Sequence, residues 1–172
     1  MFKRKIYELM NQWKNSLSWN RKALVIKGLR QVGKTTIVKE FCRVNYENVV
    51  YINFKNSEAI KKVFNNDMDV DELIVGLSTY LPEAKFIPHK TVIVFDELQE
   101  CSNARYSIKC FMEDPLKRYD IICSGSLLGL RGYNKAPSKG IPTGFEKILI
   151  MKPMDFEEFL WAKNIKVEVL DY

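Results

Sequence analysis

The 172-residue chain carries a single histidine, His89, and four cysteines, Cys42, Cys101, Cys110 and Cys123. No two cysteines form a C-x-x-C pair. With one imidazole and no paired thiols, zinc ligation is not expected. Long apolar runs are lacking as well: none approaches the roughly 20 residues that span a bilayer, so no membrane partner is expected. The basic start, Lys3-Arg4-Lys5, is not followed by the apolar core of a secretory leader. The thiols are therefore expected to be reduced and the location cytoplasmic. Internal repeats and low-complexity tracts are absent, and no alternation of basic and aromatic residues marks a stacking platform for bases. The 27 basic and 21 acidic residues leave a net charge of +6. The basic residues are dispersed, which reads first as a solvated surface; association with nucleic acid is the weaker alternative.

What is present is ordinary globular composition, 47% hydrophobic and 28% charged, in a length that suits one domain with a core. Five apolar runs read as strands: 23–27, 48–54, 91–96, 120–124 and 147–151. Val49-Val50-Tyr51-Ile52, Val92-Ile93-Val94-Phe95 and Ile148-Leu149-Ile150-Met151 are nearly continuous, the pattern of a parallel sheet covered on both faces. Helical periods lie around them. Ile6, Leu9, Met10, Trp13 and Leu17 recur at helical spacing near the start, and Ile37, Val38, Phe41 and Cys42 share one face. Val70, Leu73, Ile74, Leu77 and Leu81 mark a third helix, with Asp69 and Glu72 spaced as a capping box and Pro82 as its stop. Ser102 is placed to cap a fourth. Asp155 and Glu158 form a second capping box, with Met154 and Phe159 spaced as a hydrophobic staple. Cys42 and Cys123 fall in apolar runs and read as core. Residues 129–146 form the main irregular stretch. Strands alternating with helices imply an α/β fold with right-handed crossovers.

The chemistry concentrates in three segments. Gly28-Leu29-Arg30-Gln31-Val32-Gly33-Lys34-Thr35 fits G-x-x-x-x-G-K-[ST] between a strand and a helix. The glycines let the backbone curl so that several N–H groups converge on phosphate oxygens, and the helix after the loop adds its positive end. Lys34 is placed to reach the outer phosphates of a nucleoside triphosphate, and Thr35 to ligate Mg²⁺. Asp96 ends the apolar run Val92–Phe95, at the strand edge where ligands of open α/β sheets bind, and is the second expected metal residue. Glu97 comes directly after it, placed to polarise an attacking water. Ile121-Ile122-Cys123-Ser124-Gly125-Ser126 runs an apolar strand into small polar residues. Either Ser124 or Ser126 is expected to meet the γ-phosphate or the water. A kinase is less favoured, because no acceptor site is recognisable.

Together these segments resemble a family of prokaryotic AAA-type P-loop ATPases, usually followed by a C-terminal domain of unknown function. The likeness runs from about Arg4 to Lys163. It rests on Trp13-Lys14, Arg21-Lys22, the Gly28–Thr36 loop, Tyr51-Ile52-Asn53-Phe54, Phe95-Asp96-Glu97-Leu98-Gln99-Glu100-Cys101, Ser124-Gly125-Ser126-Leu127-Leu128-Gly129 and Pro153–Leu160. The resemblance implies a three-layer α/β fold of the additional-strand type, with a five-stranded parallel sheet in the order 5-1-4-3-2. It implies ATP as ligand with Mg²⁺, and carries phosphate binding to Gly28, Leu29, Arg30, Gln31, Val32, Gly33, Lys34, Thr35 and Thr36. Metal binding falls to Thr35 and Asp96, water activation to Glu97, and the polar sensor to Ser124 or Ser126. The expected division is a leading amphipathic segment at 1–21, an ATPase domain at 22–163 and the start of a further segment at 164–172. The resemblance also implies a missing C-terminal domain or a protein partner, and makes oligomers conceivable. One departure stands out. Where many relatives carry Gly-Arg or Gly-Lys before the last core strand, this chain has Gly144-Phe145. A cation that would offset γ-phosphate charge is missing there, so slow turnover, or a nucleotide-dependent switch with little hydrolysis, is the second expectation.

Overall fold

The computed structural model describes residues 2–65, 69–126 and 144–165. Five parallel strands form one sheet: β1 (Ala23–Gly28), β2 (Asn48–Asn53), β3 (Thr91–Asp96), β4 (Asp120–Ser126) and β5 (Glu146–Met151). Their order is β2-β3-β4-β1-β5, the order the resemblance implies. Among the described residues, six helices accompany them: α1 (Lys5–Lys14), α2 (Lys34–Asn45), the single turn α3 (Glu58–Lys61), α4 (Val70–Tyr80), α5 (Ser102–Glu113) and α6 (Phe156–Ala162).

Side chains alternate across each strand, so the nearly continuous apolar runs feed two cores. On one face, Leu24, Ile26, Val92, Val94, Ile122 and Met151 pack under α1 and α2, which contribute Ile6, Met10, Trp13, Ile37, Val38, Phe41 and Cys42. On the other, Val25, Ile52, Ile93, Phe95, Ile121 and Cys123 pack under α4 and α5, through Leu73, Leu77, Ala104, Ile108 and Phe111. Phe54, Phe64 and Phe95 meet there with ring centroids 5.5–5.6 Å apart. Each such buried apolar side chain contributes about 1.5–3 kcal/mol. Cys42 and Cys123 are both buried, one in each core, and burial pushes the Cys42 thiol up to about 12.

Both capping boxes form. Asp69 accepts from the Glu72 N–H and Asp155 from the Glu158 N–H, and each glutamate reaches back to the cap N–H. The stop at Pro82 is met: helix α4 ends at Tyr80, with Leu81 as its C-cap directly before the proline. Several local expectations are corrected. Ser102 is the first residue of α5 rather than its cap; the cap position is Cys101, and no side chain bonds there. Helix α1 ends at Lys14, short of Leu17, which is exposed; Leu9, within the helix, is exposed too, as are Met154 and Phe159. Strand β4 runs on to Ser126, so Ser124 lies inside the strand. The run Ile148–Met151 is covered on one face only: Ile148 and Ile150 are 44% and 59% exposed, because β5 is an edge strand. Leu127–Gly129, the irregular stretch as far as residue 143, and the tail from residue 166 lie outside the described residues.

Two polar clusters hold the layers in register. Asp120, at the amino end of β4, accepts from Arg21 (2.7 and 2.8 Å), Lys14 (3.0 Å) and the Tyr46 hydroxyl (2.7 Å). It thus joins β4 to α1 and to the segments flanking β1 and α2. Arg105 of α5 forks onto Glu146 of β5 with two bonds of 2.8 Å, and both side chains are buried. Among the described residues, no helix is long and apolar enough to cross a membrane.

Candidate nucleotide site

Because every strand is parallel, all five carboxyl ends lie on one edge of the sheet. The expected site residues sit there. Gly28 ends β1 beside Met151 of β5, and a Cβ on Gly28 would stand 2.4 Å from the Met151 carbonyl oxygen. Only glycine permits this approach. The loop then turns through Gln31 and Gly33, at φ 64° and 95°, and delivers Lys34 as the first residue of α2. Among the described residues, no backbone N–H from Leu29 to Gly33 has a backbone hydrogen-bond acceptor. Backbone donors this close to a helix start are normally satisfied by something, and an anion fits them. Lys34 Nζ donates to the carbonyls of Gly28 and Leu29, at 3.0 and 2.6 Å, curled over its own loop. Burial holds this ammonium below its usual pKa, against the opposing pull of Glu97 and Asp96.

Asp96 is 3% exposed and heavily bonded. Its Oδ2 accepts from Thr35 Oγ1 at 3.3 Å, from Asn53 Nδ2 at 3.2 Å and from the Tyr51 hydroxyl; its Oδ1 accepts from the Ser124 hydroxyl. Strand alternation explains the convergence. Tyr51 and Asn53 of β2, Asp96 of β3 and Ser124 of β4 all point toward α2, where Thr35 waits. Burial, then the bond to Asp96, raises the Tyr51 hydroxyl pKa. The donor set is oxygen-rich and contains one carboxylate and one hydroxyl at bonding distance from each other, which fits a hard divalent cation such as Mg²⁺.

Glu97 occupies the left-handed region at φ 53°, a conformation that costs a non-glycine residue about 1–3 kcal/mol. Its Oε2 accepts from the side-chain amide of Gln99. Glu97, Gln99, Lys34, Thr35, Ser126 and Lys55 line one cavity of about 550 Å³, within the range of small-molecule sites. Ser124 and Ser126, not separable in the sequence, are separated here. Ser124 is buried against Asp96, while Ser126 faces the cavity with Lys34 and Glu97. Behind the loop lies a second cavity of about 240 Å³, lined by Phe2, Arg4, Val32, Ile37, Met151 and Met154 and sharing Gln31, Gly33 and Thr36 with the first.

The structure also brings in residues the sequence did not single out for a role. Tyr51 and Asn53 were visible as polar interruptions at the carboxyl end of an apolar strand, spaced two apart. Arg4 had no such signal. Its Nη1 donates to the Val32 carbonyl at 3.1 Å and its Nη2 to the Lys152 carbonyl at 2.7 Å. Its Nε lies 3.1 Å from Glu158 Oε2, as a charge contact without hydrogen-bond alignment. Glu158 also accepts from the Lys5 N–H at 2.7 Å. The capping box of α6 is therefore tied to the phosphate loop through Arg4.

A glycine loop between β1 and α2, an acid at the end of β3, and β4 inserted between those two strands define an additional-strand P-loop nucleoside triphosphatase. A family model described as an AAA domain matches residues 20–160, and the chain belongs to that family. It is an AAA-type, nucleotide-binding P-loop ATPase domain. Two solved structures share the fold. A Walker-type ATPase of Pyrococcus abyssi aligns over 97% of this chain at 16% identity, with a TM-score of 0.57. The Aeropyrum pernix ORC2 protein, solved as ADPNP–ADP complexes, aligns over 94% at 15% identity, also with a TM-score of 0.57. This chain spans 60% and 50% of their respective lengths. No curated protein matches it in sequence.

Proposed function

We propose that the domain binds ATP with Mg²⁺, hydrolyses it, and uses the presence or absence of the γ-phosphate to change the conformation of an attached domain or partner. The observation that carries this reading is the convergence on one cavity of Lys34, Thr35 and Glu97, beside loop N–H groups that have no backbone acceptor among the described residues. The loop N–H groups and Lys34 hold the triphosphate; Lys34 leaves its two carbonyl partners to do so. Bound through Thr35 and Asp96, Mg²⁺ would draw charge from the phosphate oxygens. Tyr51, Asn53 and Ser124 keep the Asp96 carboxylate aimed at that position. Glu97 orients the attacking water and takes its proton. Ser126 faces the γ-phosphate. The second, apolar cavity on the far side of the loop suits a purine base, with Met151 and Met154 as adaptable walls.

In this reading residues 22–163 form the catalytic body, 1–21 its leading segment and 164–172 the start of a further segment, in a cytoplasmic protein. A switch with little turnover is the second reading. Position 145, where the sequence lacks the expected cation, does not decide between the two: Phe145 and Glu146 pair with Ala23 at the amino edge of the sheet, opposite the phosphate loop, so a side chain there would not meet the phosphates of this site. The test is heat stabilisation by ATP, with phosphate release, on the wild type, Lys34→Ala and Glu97→Gln. Wild type gains about 2.7 kcal/mol at ATP 100-fold above Kd, and Lys34→Ala loses most of that gain. Glu97→Gln keeps the stabilisation but loses about 10²–10⁴-fold in phosphate release. Equal stabilisation of wild type and Lys34→Ala refutes the binding site. Equal phosphate release by wild type and Glu97→Gln refutes the hydrolytic role and leaves the switch.

A further inference from the structure

Glu97 and Gln99 sit on either side of Leu98, in the single tight turn that joins β3 to α5. Leu98 points into the core and is 1% exposed. With Leu98 anchored inward and Glu97 in the left-handed region, the turn brings the side chains of Glu97 and Gln99 together at the cavity wall. The Gln99 Nε2–H donates to Glu97 Oε2. Gln99 Oε1 is buried and, among the described residues, has no partner. The acceptor-only carboxylate of Glu97 sets the sense of the amide. Turned over, the group would set its oxygen against the carboxylate and lose its bond. The unmet carbonyl marks the bond to Glu97 as the contact that holds the Gln99 side chain in place.

We propose that Gln99 is a positioning residue for hydrolysis: its amide holds one Glu97 oxygen so that the other is presented to the attacking water. This inference rests on the reading of Glu97 as general base. In the step it serves, the water oxygen forms a bond to the γ-phosphorus while the bond from that phosphorus to the β–γ bridging oxygen breaks. The bridging oxygen leaves with the electron pair as part of ADP. The water proton passes to Glu97, and inorganic phosphate is the second product. Without the Gln99 amide, the base remains but rotates about its own side-chain bonds. The loss then falls on kcat rather than on binding, because Gln99 touches the base and the reaction depends on its direction.

The experiment measures steady-state phosphate release by the full chain for wild type, Glu97→Gln, Gln99→Ala and the double variant Glu97→Gln/Gln99→Ala. Gln99→Ala is expected to lower kcat about 10- to 100-fold, with KM changed less than about twofold. In the double variant, the alanine adds nothing to the loss caused by Glu97→Gln, since no base is left to orient. A merely structural role for Gln99 would spread its loss over KM and stability and would add to the loss caused by Glu97→Gln. Full additivity in the double variant, or a loss that falls on KM rather than on kcat, overturns the proposal while leaving Glu97 as base. Wild-type release equal to that of Glu97→Gln overturns the hydrolytic reading itself, and this inference with it.

Discussion

Replacing Asp120 by asparagine removes one negative charge from a cluster that holds two cations. Arg21 and Lys14 lie 2.7 and 3.0 Å from Asp120 Oδ2, with side-chain exposures of only 12% and 24%. The carboxamide keeps an acceptor oxygen for Tyr46 or Arg21, but both cations lose their counter-charge. Breaking a buried pair from one side costs about 3–5 kcal/mol. Asp120 retains 18% of its side-chain exposure, so the lower end applies, about 3 kcal/mol. For a chain of this size that lowers Tm by about 6–12 °C. The pH dependence has a definite sign. Burial raises the Asp120 carboxyl pKa, but the Tyr46 hydroxyl bond and the Lys14 and Arg21 charges outweigh it, leaving the carboxyl below its usual range. A depressed carboxylate contributes stability that is complete above the unfolded-state value, about 3.9, and is lost as pH falls through the folded-state value. Urea denaturation should therefore show a constant gap between wild type and Asp120→Asn from neutral pH down to about 5, narrowing below about 4. Because Asp120 lies at the amino edge of the sheet, opposite the phosphate loop, stabilisation by ATP should be the same in both proteins. A gap below about 0.5 kcal/mol at neutral pH, or one unchanged at pH 3, refutes the reasoning.

Two further substitutions probe the frame of the site. Gly28→Ala drives a methyl group to 2.4 Å from the Met151 carbonyl and 3.2 Å from Val32 Cγ2; it should cost about 1–3 kcal/mol and weaken stabilisation by ATP, and wild-type behaviour in both melts would contradict the close approach. Arg105→Met leaves Glu146 buried without its partner and should cost about 3–5 kcal/mol in denaturant unfolding. The double variant Arg105→Met/Glu146→Leu should recover most of that loss, and additive losses would exclude the buried-pair account.

The sheet and the phosphate loop were legible because their signals are local. The loop motif is contiguous, Asp96 and Glu97 are adjacent, and each strand is one apolar run. The same locality explains what went unread. Tyr51, Asn53 and Ser124 come from two different strands and meet Asp96 only after the sheet is assembled, so no spacing in the chain announces the cluster. Arg4 reaches Val32 and Glu158 across 28 and 154 positions. Ile148 and Ile150 read as doubly buried because apolar composition does not say which strand lies at the edge. Ser102 is a good cap by type, yet the tight turn after Glu97 starts the helix one residue earlier. Ser124 and Ser126 share a face and differ only in depth, which the short polar tail of the motif does not encode.

Arg4 joins the phosphate loop, the strap after β5 and the cap of α6 in one side chain. In mechanical terms this is a common joint. A load applied along α6 reaches the Val32 carbonyl through this side chain, beside the covalent path into β5. Anything that stiffens the loop stiffens the seat of α6 in turn, so tension and ligand act on the same hinge pin from opposite sides.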